Sequence, residues 1–272
     1  MTFNAYEESV QLGAPVELYE FRSGLDRYYY TSADHDVVYG ADTYTATPMQ
    51  RGSVEVSMEK ARNNMTLKAP RNLPVADLYR VQPPAEVVTL SIFRLHEADP
   101  DAERVVIWMG RVLNVKWERT STVSIHCEPV TGSLARPGLR RLYQRQCPHI
   151  LYGTKCGIDK ADWQTDAVLT AVSEATITAP EIDAFDDNYF AGGMVEFDLP
   201  SGNVERRFIT SNTGANAVIS LPCSDLYVGL AVRVYPGCNH TIATCASKFS
   251  NSDNFGGFPF IPQKNPMEGS NF

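Results

Sequence analysis

The chain has 272 residues, 43% of them hydrophobic and 21% charged, with a net charge of −8. This length and apolar content provide a sizeable core in one or two domains and exclude a low-complexity or disordered chain. The acidic balance argues against a protein that grips nucleic acid by its phosphates, and suits a surface that DNA slides past without sticking.

The opening MTFNAYEESVQLG has neither a basic stretch nor an apolar one behind it, so no secretory signal is expected. No run reaches the roughly 20 apolar residues that a membrane-spanning helix needs. Folding in a reducing cytoplasm is therefore expected, where stable disulfides are rare.

The first half reads as strands. VELYEF (16–21) and RYYYT (27–31) carry β-favouring aromatics between turn residues. Apolar residues alternate with polar ones at Val54-Val56-Met58, Val88-Leu90-Ile92, Leu113-Val115-Trp117 and Val123-Ile125-Cys127, the period of a half-buried strand. A short helix is expected over 72–81, with Asn72 as its cap and Pro74 in the first turn. HEADPDAER (96–104) reads as a polar turn. At 131–146 composition shifts to four arginines and no acids, which predicts a linker and a short helix that delivers Cys147. A second series of short strands follows from Ala167 to about Tyr235: AVLTAV, ATITA, GGMVEF, ERRFIT, AVISL and LAVRVY. Their close spacing predicts a compact barrel or small sheet. The tail from Phe249 is rich in Gly, Pro and Asn and has no strand or helix period, and its aromatics favour packing over disorder. The expected fold is thus mainly β, with domains at 1–132 and 133–272. The second domain divides into a linker helix and first cysteine pair (133–166), a small β-barrel insertion (167–236), and a second cysteine pair with a Phe/Gly/Pro tail (237–272).

Six cysteines remain to be explained. Cys127 lies on an alternating strand face and Cys223 follows an apolar run, so both read as small buried hydrophobes. The other four form the pairs Cys147/Cys156 and Cys238/Cys245, which bracket the second strand series. A compact barrel with its ends together would bring both pairs to one place, the usual construction of a four-cysteine metal site. Neither pair has the two-residue spacing of a zinc knuckle, and the spacing leaves zinc and iron–sulfur equally open. His149 and His240 each follow a cysteine by two positions and could serve as substitute ligands.

The residues from Cys238 onward carry a resemblance. Cys238, Cys245, Lys248, Phe249, Asn251, Asn254, Phe255, Gly256, Gly257, Phe258 and Pro259 fit the pattern C-x6-C-x2-K/R-F-x-N-x2-N-F-G-G-F-P. This resembles the lambda-like minor tail protein L family of long-tailed phages and the related iron–sulfur hub family of gene transfer agents. RYYYTSADHDVVYGADTYTATPMQRG is similar to that family's opening strands. The resemblance implies a virion structural protein of the tail tip, folded in the host cytoplasm. It also implies a tube-like N-terminal β hub domain and a C-terminal iron–sulfur domain. The implied cofactor is a 4Fe-4S cluster on Cys147, Cys156, Cys238 and Cys245, covered by Phe255, Gly256, Gly257 and Phe258. The implied partners are two further copies in a homotrimer, the distal tail protein and the central hub or fibre protein. DNA would pass through unbound, and no small-molecule substrate is implied.

Enzyme readings find little support. There is no H-E-x-x-H, G-x-S-x-G, P-loop or dinucleotide fingerprint. Cys147 and His149 lack an oxyanion-hole signature beside them, and strand alternation sends His126 and Cys127 to opposite faces. The acidic pairs Asp99/Asp101 and Asp186/Asp187 read as solvated loops, so no catalytic residue is assigned. A zinc-stabilised adaptor is the alternative, with an iron–sulfur redox enzyme behind it.

Overall fold

The computed structural model describes residues 3–11, 13–54, 64–118, 121–135 and 141–262. The chain is mainly β and divides into two units, Met1–Arg136 with Pro200–Asn203, and Pro137–Leu199 with Val204–Phe272.

The first unit begins with helix α1 (Phe3–Glu7), followed by strands β1 (Pro15–Ser23), β2 (Asp26–Thr31), β3 (Val37–Tyr39), β4 (Asp42–Ala46), β5 (Gln50–Arg51) and β6 (Met65–Pro70). Helix α2 (Pro74–Asp77) and strands β7 (Thr89–His96), β8 (Val105–Trp117) and β9 (Thr122–Pro129) complete it. Among the described residues these nine strands form one sheet in the order β3-β4-β2-β1-β7-β8-β9-β6-β5, antiparallel except where β2 meets β4. β1 lies between β2 and β7, with both faces covered, so Leu18, Tyr19, Glu20 and Phe21 are all buried. Tyr19 and Phe21 enter the main core with Leu90, Ile92, Val123, Ile125 and Cys127, while Leu18 packs with Val37, Tyr44 and Leu95 in a smaller cluster.

Three expectations need correction here. Leu113 is exposed, because the β8–β9 register shifts between Val112 and Asn114 and the bulge hands the buried position to Val112. Helix α2 is a single turn capped at Leu73 rather than Asn72, with Val75 and Ala76 buried beneath it. Asp99 is buried rather than solvated, its carboxylate accepting the Asp101 N–H at 3.1 Å within the turn between β7 and β8. The alternation at Val54-Val56-Met58 falls mostly outside the described residues.

The second unit carries β10 (Thr165–Val168), β11 (Ala171–Ser173), β12 (Thr176–Thr178), β13 (Met194–Asp198), β14 (Val204–Thr213), β15 (Asn216–Ile219) and β16 (Ala231–Tyr235), then helix α3 (Ile242–Phe249). Its sheet runs β10-β16-β13-β14-β15-β12-β11 among the described residues. The end strands β10 and β11 are successive parts of one bent segment: Leu169 donates to Leu230 and Thr170 to Thr178, so the segment pairs first with β16 and then with β12. β14 does the same on the other side, pairing with β13 before its irregularity at Ile209/Ser211 and with β15 after it. The sheet therefore returns on itself around a core of Ile177, Ile182, Phe190, Phe197, Ile209 and Val234. Each such fully buried side chain contributes about 1.5–3 kcal/mol from burial. This geometry sets β10 and β16 side by side, so the chain enters and leaves the sheet at neighbouring points.

Within 131–146 the described residues carry a short 3-10 helix, Val130–Ala135, and no helix at 141–146 directly ahead of Cys147. There Gln144 gives its carbonyl to the Phe258 N–H at 2.8 Å, a bond between distant segments that a helix would have used internally. Residues 136–140 of that expected linker lie outside the described residues.

Candidate metal centre

Cys147, Cys156, Cys238 and Cys245 line one narrow cavity, walled by Leu151, Ile158, Phe249 and Phe255. The first two thiols come from the irregular loop before β10, and the last two from the loop after β16 and from α3. Cys147 donates its backbone N–H to the His240 carbonyl at 2.9 Å, fastening the first loop to the second. His240 adopts a left-handed φ of 61°, and in that turn its own N–H points at the Cys238 sulfur at 3.3 Å. Gly256 donates to the Cys147 sulfur at 3.4 Å, and the Asn251 amide reaches the Cys156 sulfur at 3.9 Å. N–H groups aimed at sulfur favour the thiolate over the thiol.

Helix α3 was not legible as a helix in the sequence reading, although Thr241 supplies a capping side chain to the Thr244 N–H at 3.3 Å. Ile242, Cys245 and Phe249 recur at helical spacing, with Cys245 and Phe249 buried. Asn251, named in the sequence only as part of the tail pattern, links the cysteine segments. Its side chain donates to the Cys156 carbonyl at 2.6 Å, its N–H to the Cys245 carbonyl at 3.0 Å, and its own carbonyl accepts the Cys245 thiol at 3.2 Å. One asparagine therefore touches both cysteine pairs.

Gly256 and Gly257 hold the tail close to the first loop. A Cβ on Gly256 would meet the His149 ring at 2.5 Å, and one on Gly257 would meet the Arg145 carbonyl at 2.5 Å. Phe255 faces the cavity, but Phe258 does not. With its N–H held by Gln144, Phe258 packs its ring on Tyr143 at 4.4 Å. His149 lies at the cavity's edge, its Nδ1 3.2 Å from the Asn254 carbonyl. A further pair of glycines seats the Cys238 loop. A Cβ on Gly237 would meet the Ala191 carbonyl at 1.7 Å, and one on Gly193 would meet the Tyr235 carbonyl at 2.0 Å.

Burial raises the Cys238 and Cys245 thiols above their ordinary value, and the neighbouring cysteines push the same way. At Cys238 the His240 N–H and the Lys248 cation act in opposition. The donor set thus fits a cationic group, which would relieve the mutual repulsion of the thiolates. Among the described residues no three His, Cys, Asp or Glu side chains converge closely enough to hold a single ion. Cys127 and Cys223 stand apart in the two hydrophobic cores, and burial pushes the Cys127 thiol up to about 12.

Comparison with known proteins gives these loops a context. Residues 188–265, which include Cys238, Cys245 and the tail, match the family described as phage conserved hypothetical protein BR0599. An uncharacterized protein of Xylella fastidiosa (strain 9a5c) is 26% identical over 165 residues, covering 57% of this chain and 34% of that protein. The chain thus spans about a third of the length of this relative. A chain from the virion of a native gene transfer agent particle shares the fold, with a TM-score of 0.79 at 22% identity over 98% of this chain and 94% of that one. Residues 18–159, just over half of the chain and inclusive of Cys147 and Cys156, match the model for the N-terminal attachment domain of baseplate hub proteins, and the chain belongs to that family.

Proposed function

We propose that this chain is a structural component of the tail tip of a long-tailed phage or a related particle, folded around a 4Fe-4S cluster held by Cys147, Cys156, Cys238 and Cys245. The observation that carries the metal reading is the meeting of all four thiols around one cavity from two loops that flank the second sheet. The preference for an iron–sulfur cluster over zinc follows the resemblance carried by the Cys238–Pro259 segment, whose two cysteines line this same cavity. When bound, the cluster supplies metal–thiolate bonds between segments distant in sequence, so its binding free energy becomes folding free energy. The chain's own part is to aim N–H groups at the sulfurs, to exclude water with Leu151, Ile158, Phe249 and Phe255, and to hold the tail through Asn251.

The role in the particle is proposed from the hub family and the shared virion fold. In this reading the chain is not an enzyme. It assembles as a homotrimer between the distal tail protein and the central hub or fibre protein, and lets DNA pass without binding it. The net charge of −8 is consistent with such a passage.

The test is anaerobic purification of the full chain, with assays of iron, acid-labile sulfide and visible absorption. Iron and sulfide in near-equal amounts, lost with the brown colour in Cys245→Ser, are expected. Zinc in the anaerobic protein would replace the cluster with the adaptor reading, and unchanged absorption in Cys245→Ser would remove that residue from the ligand set.

A further inference from the structure

Lys248 occupies the last turn of α3, one turn beyond Cys245. A lysine there ordinarily reaches the helix's own final carbonyls or water. This one reaches two other segments instead. Its ammonium donates to the carbonyls of Tyr189 and Gly237, the latter at 2.9 Å, and lies 3.9 Å from the centre of the Tyr189 ring. Gly237 immediately precedes Cys238 and itself donates to the Tyr189 carbonyl at 3.3 Å. The cation therefore binds three segments into one block: the helix bearing Cys245, the loop bearing Cys238 and the turn on which that loop rests.

Two neutral carbonyls and a ring face solvate the ammonium without cancelling its charge. A half-buried cation with that environment carries a desolvation penalty, offset where negative charge gathers nearby. Four thiolates outweigh the positive charge of a divalent ion or a doubly charged cluster core, so an occupied site is anionic. The net charge around a cluster also sets its reduction potential.

We infer that Lys248 is the internal counter-cation of the cysteine site, a positioning residue that seats the Cys238 loop and offsets the charge of the bound thiolates. This rests on the metal-binding reading of the four cysteines. The full chain, purified anaerobically, is compared with Lys248→Met, which keeps the length but loses charge and donors, and with Lys248→Gln, which keeps donors but loses charge. Lys248→Arg tests rescue by a conserved charge. In the two neutral variants, release of metal to a chelator at neutral pH is expected to be on the order of 10-fold faster. Their midpoint potential should also move to more negative values, while Lys248→Arg stays nearer the wild type. A lysine acting only as a hydrogen-bonding staple would leave the midpoint of Lys248→Gln unchanged, and that result overturns the inference while the metal reading stands. If Lys248→Met does not fold, Lys248→Gln and Lys248→Arg decide. If the site holds zinc, the release rates decide alone. A wild-type chain that takes up no metal under these conditions overturns both readings at once.

Discussion

The backbone N–H of Cys147 meets the carbonyl of His240 at 2.9 Å, and this bond joins two cysteine loops separated in sequence by the entire second sheet. The sheet makes the meeting possible because its entering strand β10 and leaving strand β16 are paired, Thr165 opposite Val234. The cysteine frame is thus a consequence of strand order. The loops then add their own fastenings through Asn251, Gly256 and Lys248.

Asn251 is expected to matter out of proportion to its size. Asn251→Ala removes the 2.6 Å bond to the Cys156 carbonyl and leaves that acceptor short of a partner. A loss of about 1–2 kcal/mol is expected in urea unfolding of the full chain. An unchanged midpoint would show that the bond contributes nothing.

The two tail glycines should differ. A methyl at Gly256 meets the His149 ring, which can rotate away, whereas one at Gly257 meets the backbone at Arg145 and Gln146. Gly257→Ala is expected to cost about 1–3 kcal/mol, and Gly256→Ala clearly less. Thermal unfolding of the two variants side by side checks the ranking, and the reverse order would contradict the close approach described here.

Glu196 gives the second unit an acid sensitivity. Burial alone would raise its pKa, but hydrogen bonds from Lys160 at 2.9 Å and Arg206 at 2.7 Å outweigh that and hold the carboxyl below its ordinary range. A lowered folded pKa adds stability above the unfolded value, about 4.3, and this is lost as pH falls through the folded pKa. Glu196→Gln should cost roughly 1–3 kcal/mol at neutral pH, below the full value of a buried pair because both cations are partly exposed. The gap between variant and wild type should close below about pH 4. A gap independent of pH would assign the stability to packing instead.

Metal removal should act on one unit. With the chelated full chain, hydrogen exchange is expected to show lost protection at 141–158 and 237–262, while β1 and β7 keep theirs, since the thiols that line the cavity all belong to the second unit. Cys127→Ser is the companion control. It places a hydroxyl in the first unit's core and should lower stability by about 1–3 kcal/mol with metal content unchanged. Uniform loss of protection across both units would refute the local clasp.

The sequence alone determined much of the strand inventory, because alternation reports which face is buried. Val88-Leu90-Ile92 and Val123-Ile125-Cys127 are buried as their period requires. It also determined which cysteines belong to a core and which come as pairs. A bulge at Val112/Asn114 inverted the expectation for Leu113, since one extra residue changes which side chain faces the core and no local pattern records it. The absence of a helix at 141–146 had a similar cause, with Phe258 claiming the Gln144 carbonyl from a distant segment. Only the tertiary structure brought the four thiols to one cavity, gave Asn251 and Lys248 their partners and set the Phe258 ring on Tyr143. Each of these depends on contacts between segments far apart in sequence, set by the pairing of β10 with β16.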